Sequence, residues 1–113
     1  MIVLNMRELS DWNIEEMCGY KPITTLYKDF SIADKFGIGA IEDTYKRAFK
    51  DCKIIGYKYM TELVMVLNWK IWEHYQDNER YAILYNDLWE KAQNWCYDNF
   101  TEEELRYYYR TTD

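Results

Sequence analysis

The stretch Tyr59–Phe100, YMTELVMVLNWKIWEHYQDNERYAILYNDLWEKAQNWCYDNF, constrains the fold more than any other part of the chain. It reads as two long helices folded back on each other at Gln76–Asn78. On the first arm Met60, Leu63, Val64, Leu67, Ile71 and Tyr75 share one face at 100° per residue. Met65, Trp69 and Trp72 cover much of the opposite side, and only Glu62, Lys70 and Glu73 supply charge. A helix apolar nearly all round is a buried central helix. Trp69 and Trp72 are therefore expected to pack against N-terminal helices, since a large exposed apolar patch is unusual. The longest unbroken apolar run, Leu63–Leu67, is far too short to span a bilayer. The second arm is amphipathic, with Tyr81, Leu84, Tyr85, Leu88, Ala92, Trp95 and Cys96 inward, Trp89 at the edge, and Asp87, Glu90, Gln93 and Asn94 outward. Asn78 is placed to cap it, because its side chain can accept a bond from a first-turn N–H.

The remaining segments supply the cover. Met1–Leu4 reads as a short strand or a helix start. Asn13 with Glu16 forms a capping pair for a short helix to Cys18, closed by Gly19. Pro22 stops any continuation. Thr24 or Thr25 caps a helix to Phe36, with Leu26, Phe30 and Ala33 inward. Gly37 and Gly39 break it, and a helix from about Ala40 to Cys52 follows, with Ile41, Tyr45, Ala48, Phe49 and Cys52 inward. Gly56 ends this half. Thr101 and Glu104 form a capping box, so a last helix covers about 102–109. The reading is an all-α, compact bundle of about five helices in a single domain, 1–113. An N-terminal helix pair (24–52) packs on a long antiparallel helical hairpin (57–100).

Charge narrows the function. The net charge is −6, yet residues 45–59 carry five basic groups against one acidic. An acidic protein is a poor general nucleic-acid coat, because phosphate contacts need positive charge. It suits a protein partner with a basic surface. Three widely spaced cysteines, Cys18, Cys52 and Cys96, with no CxxC, point to reduced thiols. The N-terminus lacks the apolar core of a signal peptide. A cytoplasmic location with no membrane association is expected.

Catalytic sets are thin. His74, the only histidine, stands three residues before Asp77, but one His–Asp pair falls short of a zinc or iron ligand set. The plainer reading is a helix-end histidine near the negative pole of the dipole. His74 and Cys96 lie roughly 20 Å apart along the hairpin at 1.5 Å per residue, which excludes a nucleophile pair. Two serines, Ser10 and Ser31, give a Ser–His triad little to work with. Gly37-Ile38-Gly39 follows a helix, not the strand that a phosphate loop requires. No enzyme, cofactor or metal is expected.

Two stretches carry binding hypotheses. Ile32-Ala33-Asp34-Lys35-Phe36-Gly37-Ile38 resembles the first helix and turn of a DNA-binding helix-turn-helix. The next helix bears Lys46, Arg47 and Lys50, with Lys53 and Lys58 extending the band. The match departs where the family places an aliphatic residue, here Asp43, and Glu42-Asp43 would repel phosphate. The plainer reading is a solvated basic face. The second stretch is Arg106-Tyr107-Tyr108-Tyr109-Arg110. Consecutive helical tyrosines point in three directions, and Tyr and Arg dominate protein interfaces. With Glu102 and Glu103 these five residues are the expected partner contacts. Alternatively, two of the tyrosines close the core while the arginines pair with the glutamates.

The segments TELVMVLNWKIWEHY and LRYYYRTTD resemble small helical proteins carried by phages and integrative elements of gram-positive gut bacteria, from about Thr24 onward. The resemblance implies an accessory role in conflict between element and host, such as inhibition of a CRISPR nuclease, and implies no functional residues. The leading expectation is a non-enzymatic, acidic protein-binding module acting on a host nucleic-acid-handling enzyme. The alternative is a helix-turn-helix DNA binder using Lys46, Arg47, Lys50 and Lys53.

Overall fold

Glycine punctuates the first half of the molecule. A computed structural model describes residues 23–112, and among them are five helices and no strand. These are α1 (Ile23–Phe36), α2 (Ile38–Ile55), α3 (Tyr57–His74), α4 (Glu79–Asn99) and α5 (Glu102–Thr112). The readings for Met1–Leu4, Asn13–Glu16, Cys18 and Gly19 fall outside the described residues. Gly37 alone separates α1 from α2, and Gly56 alone separates α2 from α3, with φ of 100° and 124°. No L side chain adopts these angles without strain. Each glycine donates its N–H to the helix before it and offers its carbonyl to the helix after it. Gly56 N–H reaches the Cys52 carbonyl at 2.9 Å, and the Met60 N–H reaches the Gly56 carbonyl at 3.1 Å. Gly39 does not act as a breaker: it lies within the first turn of α2. α1 begins at Ile23, so Thr24 and Thr25 stand inside its first turn rather than before it.

The second half follows its side-chain signals. Asn78 Oδ1 accepts from the Tyr81 N–H at 3.3 Å and starts α4. Thr101 and Glu104 exchange bonds, Thr101 N–H to Glu104 Oε1 at 2.8 Å and Glu104 N–H to Thr101 Oγ1 at 3.2 Å, which starts α5. Each satisfies helix-end donors that would otherwise be orphaned.

The α3–α4 hairpin is the most extensive helix pair, and α3 also meets α1, α2 and α5. Its Met60, Leu63, Val66 and Leu67 are wholly buried, with Phe30, Ile41, Cys52 and Tyr85 from the surrounding helices. The apolar faces thus find partners on three sides, as a helix with two apolar faces requires. Two expectations for α3 are corrected. Trp69 is 47% and Trp72 68% exposed. Among the described residues α1 meets α3 at the neighbouring Lys70, through Asp34. Trp69 meets the edge of the Tyr27 ring at 5.9 Å, and Trp72 the ring of Tyr75 at 5.7 Å. Tyr75 is likewise exposed rather than inward, because α3 ends at His74 and Tyr75 already belongs to the turn. No helix among the described residues is long and apolar enough to cross a membrane.

Candidate functional site

The most distinctive surface feature is an aromatic cleft of about 370 Å³ where α3, α4 and α5 meet. Helical spacing builds it. Trp89, Gln93 and Tyr97 project from one stripe of α4, and Met65, Asn68 and Trp69 from one stripe of α3. The end of α5 closes it with Tyr109, Thr111 and Thr112. Gln93 donates to the Tyr97 hydroxyl at 2.9 Å, and the Tyr97 ring lies 6.3 Å from that of Tyr109. Among the described residues no lysine, arginine, aspartate or glutamate lines the cleft.

The Arg106–Arg110 segment divides among three surroundings. Tyr108 is 2% exposed and packs its edge on Phe100 and Tyr97. Burial raises its hydroxyl pKa. The expectation of an open partner contact is corrected for this residue: it closes the core and forms part of the cleft wall with almost no exposed surface. Tyr107 is half-buried, 5.3 Å from the Tyr57 ring, with Lys58 and Arg110 over it at 5.4 and 5.7 Å. Tyr109, 47% exposed, lines the cleft beside Tyr108. Arg106 pairs with Glu102 at 3.0 Å on the open surface, and Glu103 is exposed.

A polar cluster sits near the turn end of the hairpin. Lys70, whose side chain has no exposed surface, contacts the Asp34 carboxylate from α1 and Glu73 at 2.7 Å. Asp34 also accepts from the Tyr85 hydroxyl at 2.6 Å and lies 3.0 Å from His74 Nε2. Tyr27 donates to Glu73 at 2.7 Å, and His74 stacks on Tyr85 at 5.8 Å. Burial pulls the Lys70 pKa down, but the bonds from Asp34 and Glu73 outweigh it and hold it above the usual value. Burial likewise pushes Glu73 up, and the bonds from Lys70 and Tyr27 bring it below the ordinary range. The lysine is thus a charged clamp and not a nucleophile. Asp34, Glu73 and His74 could each offer a metal ligand atom within 4.8 Å of the others. The Lys70 ammonium already touches both carboxylates and supplies the positive charge there. Asp77, the residue that spacing paired with His74, is exposed in the turn.

Lys46, Arg47, Lys50 and Lys53 are exposed along α2, and so are Glu42 and Asp43 at its start. Lys53 folds over the Phe49 ring at 4.8 Å. Cys52 and Cys96 are free and buried. Burial drives both thiols upward, Cys96 to about 12, which makes them unreactive packing groups at neutral pH. A second, shallower apolar area of about 570 Å³ flanks the turn, with Ile71, Tyr75 and Ile83.

Sequence reasoning missed Trp69, Trp89, Tyr97 and Asn68 as site residues. The Trp89–Gln93–Tyr97 stripe at i, i+4, i+8 was the available signal, an aromatic line one step off the inward face of α4. No protein-family model matches the chain, and neither the curated proteins nor the solved structures contain a match.

Proposed function

We propose that the chain is a non-enzymatic protein-binding module that engages a basic partner surface through the α3–α4–α5 cleft and its acidic surroundings. The observation that carries this reading is the cleft itself, four part-exposed rings with no charged lining among the described residues, on a protein of net charge −6. Trp and Tyr rings bring large contact area at low entropic cost and dominate binding energy at interfaces. Exposed Asp98, Glu102 and Glu103 steer a positively charged partner toward them. A protein that handles nucleic acid presents such a surface. With the resemblance to mobile-element proteins, the reading extends to inhibition of a host defence enzyme such as a CRISPR nuclease.

The test is capture of partners by tagged protein from nuclease-treated host lysate, beside an untreated sample. A stoichiometric protein retained by wild type after nuclease, and lost with Tyr109→Ala and Tyr97→Ala, supports the reading. Recovery of nucleic acid alone, abolished by nuclease, defeats it. That second outcome favours DNA binding by α2, for which the exposure of Lys46, Arg47, Lys50 and Lys53 is the supporting observation. Such binding falls steeply with salt and disappears when these residues become glutamate.

A further inference from the structure

We propose that the α3–α4–α5 cleft is an anchor pocket for an arginine side chain presented by the partner protein. This rests on the protein-binding reading and names what the cleft recognises. Four observations converge on a guanidinium.

The first is the ring arrangement. Trp69, Trp89, Tyr97 and Tyr109 line one small cleft. A planar, weakly hydrated cation packs on aromatic rings better than a compact ammonium does.

The second is the use of the same contact elsewhere in the molecule. Four rings outside the cleft carry its own cations: Lys53 on Phe49, Lys58 and Arg110 on Tyr107, and Lys70 on Tyr27 and Tyr85. Among the described residues the four cleft rings carry no such contact. The cations of α4 and α5 nearest in sequence are engaged otherwise, Lys91 with Asp87 at 3.0 Å, Arg106 with Glu102 and Arg110 with Tyr107.

The third is charge. Among the described residues no cation lines the cleft to repel a guanidinium. Glu90 and Asp98 are exposed on α4, each one residue from a cleft ring and about 100° round the helix from it, so they add negative charge to that helix without lining the cleft. The fourth is size and polarity. A volume of about 370 Å³ is at the small end of ligand pockets, suited to one long side chain. The side-chain carbonyls of Asn68 and Gln93 can accept the N–H fork. A neutral aromatic ligand would use the rings but gain nothing from the acidic surroundings.

The test is NMR of the full chain with labelled tryptophan indoles, each resonance assigned through a single Trp→Phe variant. The probes are a Gly-Arg-Gly-Arg-Gly peptide, its lysine counterpart, its citrulline counterpart and adenosine. Citrulline keeps the shape of arginine and removes the charge. The arginine peptide is expected to shift the Trp69 and Trp89 resonances and leave Trp72 in place. Lysine should bind more weakly by on the order of tenfold, and citrulline more weakly still. Trp69→Leu, at a half-exposed position, should abolish the Trp89 shift while the protein stays folded. Equal binding of arginine and lysine peptides with Trp72 shifting alongside overturns the pocket, as that is general attraction to an acidic protein. Shifts with adenosine but not with arginine overturn it in favour of a base-stacking site. If a protein partner is captured equally by wild type and Trp69→Leu, the anchor fails and the protein-binding reading stands. If arginine binds as expected but no protein is captured, the pocket stands and that reading fails.

Discussion

The ammonium of Lys70 rests against the carboxylate of Asp34, joining α3 to α1 through a lysine with no exposed side-chain surface. Glu73, the other carboxylate on Lys70, is 43% exposed at its side chain. The two pairs therefore differ in worth, because water already solvates one of them and not the other.

Asp34→Ala should cost about 3 kcal/mol, since it takes from a buried ammonium the less exposed of its two carboxylates and leaves it only the half-exposed Glu73. Glu73→Gln should cost no more than about 1 kcal/mol, as exposed pairs do. Urea denaturation of both variants measures the difference. Equal, small losses would show that the cluster does not hold α1 in place.

Glu62 gives the stability curve its slope near neutrality. Its Oε2 is buried without a hydrogen-bond partner among the described residues, and burial raises its pKa to about 7. The folded state therefore binds this proton more tightly than the unfolded state. The contribution is fully present below the ordinary glutamate value and is lost as pH rises through about 7. Glu73 acts in the opposite sense, with a depressed pKa whose stabilisation is lost as pH falls through the acid range. Wild type should lose stability between pH 5 and about 7 relative to Glu62→Met. Urea midpoints of the two proteins across that range check it, and parallel curves would refute it.

Neighbouring tyrosines on α5 should separate stability from binding. Tyr108→Ala removes a fully packed ring and should cost about 3–5 kcal/mol. Tyr109→Ala should change stability by roughly 0.5 kcal/mol or less while weakening partner capture. Thermal melts and the capture assay, run on both variants, give the comparison.

The Thr101 cap should be worth about 1 kcal/mol, so Thr101→Ala lowers the melting temperature by a few degrees. Loss of the cap frays α5 and loosens the cleft wall that Tyr109 and Thr112 provide. Amide exchange should quicken in α5 before it does in α3.

What the chain made legible was local. Asn78, Thr101 with Glu104, Gly37 and Gly56 each act on residues within one turn, so spacing alone locates them. The all-α bundle around the hairpin followed from periodicity. Lys70 was opaque because its partner lies on another helix: only the docking of α1 brings Asp34 to it. The cleft was opaque for the same reason, being assembled from three helices. Trp69 and Trp72 misled because apolarity all round α3 implied cover all round, and the cover stops short of them. Asp34, which the sequence offered only as a member of a helix-turn-helix pattern, is the acceptor for Lys70, Tyr85 and His74, partners that lie 36 or more residues further along the chain.

The two one-residue joints have a consequence for engineering. With only Gly37 between α1 and α2 and only Gly56 between α2 and α3, neither junction has slack to absorb added chain. A residue inserted there would rotate the following helix by about 100° and turn its inward stripe away from the core. The Tyr75–Asn78 turn holds exposed Gln76 and Asp77 and no buried side chain. It is the place to graft an epitope, a fluorophore or a split-reporter fragment without disturbing either the glycine joints or the aromatic cleft.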